Sequence, residues 1–124
     1  MNPCYGENLF LLLTTFSMLS HLIVYVPLEA AERVRKAMAD AGAGKIGNYD
    51  SCSFSTKGTG RFRPNDKAHP AIGSANIPEE VAEERIEVVV PESVLKAVLR
   101  AIVKAHPYEE PAIHVLPMVD YHDI

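Results

Sequence analysis

Residues 85–111 read RIEVVVPESVLKAVLRAIVKAHPYEEP, and this stretch decides the fold. Arg85 to Val90 alternates and then turns continuously apolar, the pattern of a buried strand. Pro91 suits the first turn of a helix. From there to Ala105, Val94, Leu95, Val98, Leu99, Ile102 and Val103 form one wide apolar stripe. His106-Pro107-Tyr108-Glu109-Glu110-Pro111 follows, and its two prolines stop the helix and stiffen the approach to the next segment. Ala112 to Met118 is predicted to be that next strand.

The pattern extends upstream. Leu22-Ile23-Val24-Tyr25-Val26-Pro27 is β-rich and ends at a proline, so it reads as the first strand. From Glu29 to Ala41 the residues Ala30, Val34, Ala37, Met38 and Ala41 share one helical face, with Glu32, Arg33, Lys36 and Asp40 outside. Gly42 stands where a helix often ends in a left-handed residue. Residues 42–80 are rich in Gly, Ser, Pro and Asn, with extended pieces around Ser51–Thr56 and Gly60–Arg63. The order is strand, helix, long β-like excursion, strand, helix, strand. That is the split βαβ pattern of an α+β, ferredoxin-like sandwich, with two helices on one face of an antiparallel sheet. The other face needs a cover, and a second subunit supplies one, so a homo-oligomer is expected.

The chain has 124 residues, enough for one core without staples, with 48% hydrophobic and 23% charged residues. A net charge of -4 offers nucleic acid no general attraction. No apolar run is long enough to cross a bilayer, so no membrane partner is expected. Cys4 and Cys52 do not make a disulfide framework, which points to a reducing, cytoplasmic setting. Residues 1–17 contain Leu9-Phe10-Leu11-Leu12-Leu13, superficially like the apolar part of an export signal. They carry Glu7, lack Lys and Arg, and show no clear cleavage site. They are set apart as an extension, with Met18 as the expected start of a single domain over 18–124.

Several constellations bear on chemistry. Gly42-Ala43-Gly44-Lys45-Ile46-Gly47 matches the dinucleotide fingerprint by letter. That motif needs its glycines between a strand and the start of a helix, whereas this run follows a helix, so a cap and tight turn are expected instead. Gly44, Lys45, Lys57, Gly58, Gly60, Arg61 and Arg63, with Tyr108, form a candidate ligand site in which glycine-turn amides and cations hold a small anion. The alternative is that the basic residues pair with the acidic run Glu79, Glu80, Glu83, Glu84 and Glu87. His106, Glu109 and Glu110 are candidate ligands for a divalent metal ion, although no HExxH, HxH or CxxC array occurs. The alternative for His106 is structural, as an imidazolium at a helix C-terminus. A Cys52–His106 nucleophilic pair requires the fold to bring the two together.

Taken together, the motifs resemble a known family. Ala41-Gly42-Ala43-Gly44-Lys45-Ile46-Gly47-Asn48-Tyr49-Asp50-Ser51-Cys52-Ser53-Phe54, Gly58-Thr59-Gly60-Arg61-Phe62-Arg63-Pro64, Pro70-Ala71-Ile72-Gly73, Glu83-Glu84-Arg85-Ile86-Glu87 and His106-Pro107-Tyr108-Glu109-Glu110-Pro111-Ala112 resemble the small domain inserted in Nif-three-like (YqfO-type) dinuclear-metal proteins, which also occurs alone. The resemblance runs from about Leu22 to Met118 and implies a fold related to CutA and the PII signalling proteins, which commonly form trimers. It does not reach the larger α/β body that carries the family's two-metal site, so that metal chemistry is not expected here. Lys67 and Asn76 stand where the family usually has glycine, and Ile113-His114 where a Tyr-Asp pair is common.

The expected function is a non-catalytic, oligomeric module, trimer favoured over dimer, that binds a small anion, nucleotide or metal ion or acts in regulation. The alternatives are a metal-dependent hydrolase of a phosphorylated small molecule, using His106 and Glu109 or Glu110, and a structural partner domain for a separate protein.

Overall fold

The first strand, β1, forms at Leu19–Pro27, three residues earlier than the apolar run alone indicates. Its extra residues Leu19, Ser20 and His21 are held by ladders on both sides, against Val89–Pro91 and Leu116–Met118. The computed structural model describes residues 18–124, so the expectations for residues 1–17 lie outside the described residues. After β1 come α1 (Leu28–Asp40), β2 (Phe54–Phe62), β3 (Glu79–Pro91), α2 (Glu92–Ala105) and β4 (Ile113–Met118), then a 3-10 turn at Tyr121–Asp123. The sheet order is β2-β3-β1-β4 with every pairing antiparallel, which is the predicted ferredoxin-like arrangement.

Two elements are longer than predicted, for one reason. The Gly-rich segment Phe54–Phe62 is one continuous strand, not two extended pieces, because it pairs residue for residue with Glu79–Glu87. The same pairing carries β3 back from Arg85 to Glu79. Glycines and clustered glutamates disfavour strands intrinsically, but cross-strand pairing overrides so weak a local preference.

Strand alternation sorts the sheet into two faces. Leu22, Val24 and Val26 of β1 and Ile86, Val88 and Val90 of β3 face the helices, and all six are buried. Ala30, Ala31, Val34 and Met38 of α1 and Val98 and Ile102 of α2 close the core from the other side. Val103 was expected in that stripe but is 57% exposed, since it lies one step round the helix from buried Ile102. Pro91 ends β3 and caps α2 rather than starting the helix, with the helix beginning at Glu92. Arg35 of α1 pairs with Glu84 of β3, and Arg33 Nε donates to the Ala105 carbonyl at 2.9 Å, tying α1 to the end of α2.

The opposite sheet face carries His21, Ile23 and Tyr25, then Glu83, Arg85 and Glu87, by register. Phe54 and Leu116, on the outer strands of this face, are 65% and 51% exposed. No helix among the described residues is long and apolar enough to cross a membrane.

Candidate functional site

At one end of the open face lies a cavity of about 610 Å³. The run Thr56–Phe62 of β2 forms one wall, with Tyr25, Glu83 and Arg85 contributed by β1 and β3. The loop after β2 supplies Arg63, Pro64, Ala68, Pro70, Ala71 and Ile72, and the joint after α2 supplies Tyr108, Glu109 and Glu110. These two loops meet across the cavity, where the His69 backbone N–H donates to Glu109 Oε1 at 2.8 Å.

The joint is built around His106, which is 6% exposed. Its backbone N–H closes the helix on the Ile102 carbonyl at 2.8 Å, and then ψ 136° turns the chain to an extended course. Nε2 lies 2.7 Å from the Tyr25 carbonyl oxygen, which only accepts, so Nε2 carries the proton. Nδ1 accepts the Tyr108 backbone N–H at 3.1 Å. A neutral ring satisfies both bonds, whereas a second proton would set donor against donor at Nδ1. Burial accordingly holds the His106 pKa below its ordinary value, outweighing the carbonyl and the nearby Glu83 charge that pull it up. The structural alternative for His106 takes it as an imidazolium at the helix end, whereas these two bonds hold the ring neutral.

Holding the Tyr108 backbone places its side chain in the cavity. Its ring packs against His106 and Phe62, with centroids at 4.9 and 5.8 Å. Its hydroxyl donates to Glu83 Oε2 at 3.0 Å. Burial first, and the Glu83 carboxylate second, push the phenol pKa up, so it remains a donor at neutral pH. Glu83 is 8% exposed and lies directly over Gly60, where any Cβ would overlap the carboxylate. Gly60 is therefore a close-approach glycine within a strand, not a turn residue. Arg85 extends over the Tyr25 ring at 5.9 Å and reaches Glu87 at 3.5 Å.

The candidate residues divide between two ends of the molecule. Lys57, Gly58, Gly60, Arg61, Arg63, Tyr108, Glu109 and Glu110 all line the cavity. Gly44 and Lys45 do not. The Gly44 N–H donates to the Val89 carbonyl at 2.8 Å, six residues along β3 from Glu83, or about 20 Å away. The element that follows Gly47 is the strand β2 and not a helix, in keeping with a cap and turn; Gly42, at φ 110°, is the left-handed helix stop. Arg61 pairs with Glu80 at 3.1 Å, as the pairing alternative anticipates, while Arg63 bonds the carbonyl and side chain of Asn76 at 3.3 and 3.4 Å.

The three candidate metal ligands are not assembled. His106 has both ring nitrogens on backbone groups, Glu109 holds His69, and Glu110 is exposed. Among the described residues no group of three or more His, Cys, Asp or Glu is disposed to hold a metal ion. Cys52 is bonded through its N–H to the Gly44 carbonyl at 2.9 Å, beside Val89, away from His106. Asn76 adopts a left-handed conformation, φ 63°, which asparagine tolerates.

Sequence reasoning missed Tyr25 and Arg85, and placed Glu83 in an acidic run as a pairing partner for the basic loop. Alternation along β3 was the available signal, since it puts Glu83, Arg85 and Glu87 on one face.

No protein-family model matches the sequence. Over 97 residues, 78% of this chain, it is 52% identical to a Mycobacterium tuberculosis protein named GTP cyclohydrolase 1 type 2 homolog, covering 26% of that protein. The solved structure of a Bacillus cereus protein related to NIF3 matches with a TM-score of 0.74 and 44% identity, over 85% of this chain and 27% of that one. The periplasmic divalent cation tolerance protein CutA of Archaeoglobus fulgidus matches in fold, with a TM-score of 0.59 and 19% identity, over 82% and 84% of the two chains. The chain spans about a quarter of the length of the curated relatives it matches.

Proposed function

We propose that this chain, a homologue of one segment of the NIF3-related proteins with a CutA-like fold, is a non-catalytic binding module for a small molecule bearing an anionic group. The observation that carries this reading is the cavity of about 610 Å³, within the size range of small-molecule sites, walled by aromatic and aliphatic side chains and lined by Arg61, Arg63 and Arg85. The commitment of both His106 nitrogens to backbone groups favours binding over hydrolysis, because the imidazole has no lone pair left for a metal or a proton in transit. The names of the relatives belong to those proteins; here they place GTP and divalent cations in the panel of probes.

The module is proposed to work as a homo-oligomer, with a trimer favoured over a dimer. The exposed β2 and the exposed Phe54 and Leu116 on the open face support this, since a neighbouring copy would cover apolar surface and a free strand edge together. Native mass spectrometry of the gently purified protein reads subunit number and bound mass at once. An oligomer carrying a stoichiometric small adduct is the expected result, and a bare monomer would reject both parts.

The anion subsite has its own test. In the double variant Arg61→Ala, Arg63→Ala, affinity for the recovered adduct should fall at least about tenfold, since charge-assisted hydrogen bonds are worth roughly 1.5–3 kcal/mol each. Thermal stability should hardly change, because both side chains are exposed and a surface pair such as Arg61–Glu80 contributes about 0–1 kcal/mol. Unchanged affinity would place the anion elsewhere.

A further inference from the structure

The inner end of the cavity is built for the opposite charge from its rim. Glu83 is 8% exposed, and the side-chain bond it receives comes from the Tyr108 hydroxyl, on Oε2. A carboxylate has about four acceptor sites. Among the described residues no lysine or arginine forms an ion pair with it. Arg85, two residues along and on the same face, turns instead to Glu87 and the Tyr25 ring. Gly60 keeps the space over the strand clear, so Oε1 lies against the backbone. A carboxylate buried without a counter-charge is costly, and a matching cation or set of N–H donors offsets that cost. The flat rings of Tyr25, Phe62 and Tyr108 flank the same space.

We propose that Glu83 is the recognition group at the inner end of the cavity, and that it receives a planar head bearing a cationic or paired N–H donor group of the amidinium kind. The inference rests on the cavity reading above and deepens it. The donor head meets Glu83, while any anionic tail reaches toward Arg63, on the loop that lines the cavity. A ligand that were only an anion would be repelled at the inner end, so the two charges set its orientation. The Tyr108 hydroxyl, bonded to Oε2, holds the carboxylate in place and leaves its remaining acceptor sites to the ligand.

Benzamidine, benzoate and benzyl alcohol share one flat ring and differ only in the head, so titrating each into the full chain by NMR isolates the head's contribution. Benzamidine should shift the Gly60 and Tyr108 resonances saturably and bind at least tenfold more tightly than benzoate. Glu83→Gln, nearly identical in shape, should lose at least tenfold in benzamidine affinity with an unchanged circular dichroism spectrum. Benzoate binding as well as benzamidine, or full benzamidine affinity in a folded Glu83→Gln, would overturn the role of Glu83 while leaving the cavity reading intact. If none of the three probes shifts a cavity resonance, the cavity reading itself falls. If Glu83→Gln does not fold, the benzamidine-to-benzoate preference of the unmodified chain decides.

Discussion

Gly44→Ala should lower the stability of the chain by about 3 kcal/mol or more, and its melting temperature by roughly 10 °C or more. Gly44 joins two segments by backbone alone: its N–H donates to Val89 at 2.8 Å and its carbonyl accepts from Cys52 at 2.9 Å. It does so at φ 80°, a conformation that costs a residue with a Cβ about 1–3 kcal/mol. An added Cβ would stand 2.5 Å from the Cys52 oxygen and 2.8 Å from its nitrogen. Both atoms are backbone, so no side chain can swing aside, and either the bond to Cys52 or the bond to Val89 has to open. Gly47 is the control. It too has a positive φ, 57°, but nothing lies within 4 Å of an added Cβ. Gly47→Ala should therefore cost only the local strain, about 1–2 kcal/mol. Chemical denaturation of the two variants beside the unmodified chain separates the effects, and equal losses would mean that the approach of Cys52 to Gly44 is unimportant.

The same glycines show how far the sequence could be read. Elements with a strong period were legible: β1, α1, the apolar half of β3, α2 and β4 follow from alternation or helical spacing, and their order implies the sheet. β2 was legible only in pieces. Its nine residues include two glycines and little that is apolar, and it is almost wholly exposed, so its strand character comes from pairing with β3 and not from its own composition. The reach of β3 back to Glu79 was hidden for the same reason, because the partner that stabilises it had no signature of its own.

The candidate site was legible as a set of residue types and not as a geometry. The basic glycine segment and the HPYEEP joint do meet, at the cavity. What linear reasoning could not supply was the third element, Glu83 and Arg85 of β3, which enters only through register. It also joined Gly44 and Lys45 to Lys57–Arg63 because glycines and cations recur in both, although β2 begins between them and carries the second group to the far end of the sheet. Gly60 is the instructive residue. In sequence it looks like part of an anion-binding turn, yet in the fold it makes room for a buried carboxylate from the neighbouring strand.

His106 carries the second large effect, and acid should expose it. His106→Ala leaves the Tyr25 carbonyl and the Tyr108 N–H without their partners and opens a void at the joint, for a loss of about 2–4 kcal/mol at pH 7.5. The pH dependence has a definite sign. The folded pKa lies below the ordinary value of about 6.5, so the unfolded chain takes up this proton first as pH falls. The stability contributed by the neutral ring is complete above about pH 6.5 and declines from there down to the lower folded pKa. Urea denaturation at pH 7.5 and 5.5 should thus show the advantage of the unmodified chain over His106→Ala shrinking on acidification. An imidazolium favoured by the helix C-terminus would make that advantage grow instead, so the direction of the change discriminates the two roles. The variant also bears on the cavity. Without Nδ1 to hold the Tyr108 backbone, the phenol should lose its fixed approach to Glu83, and benzamidine shifts at Tyr108 should weaken while those of a ring contact at Tyr25 persist.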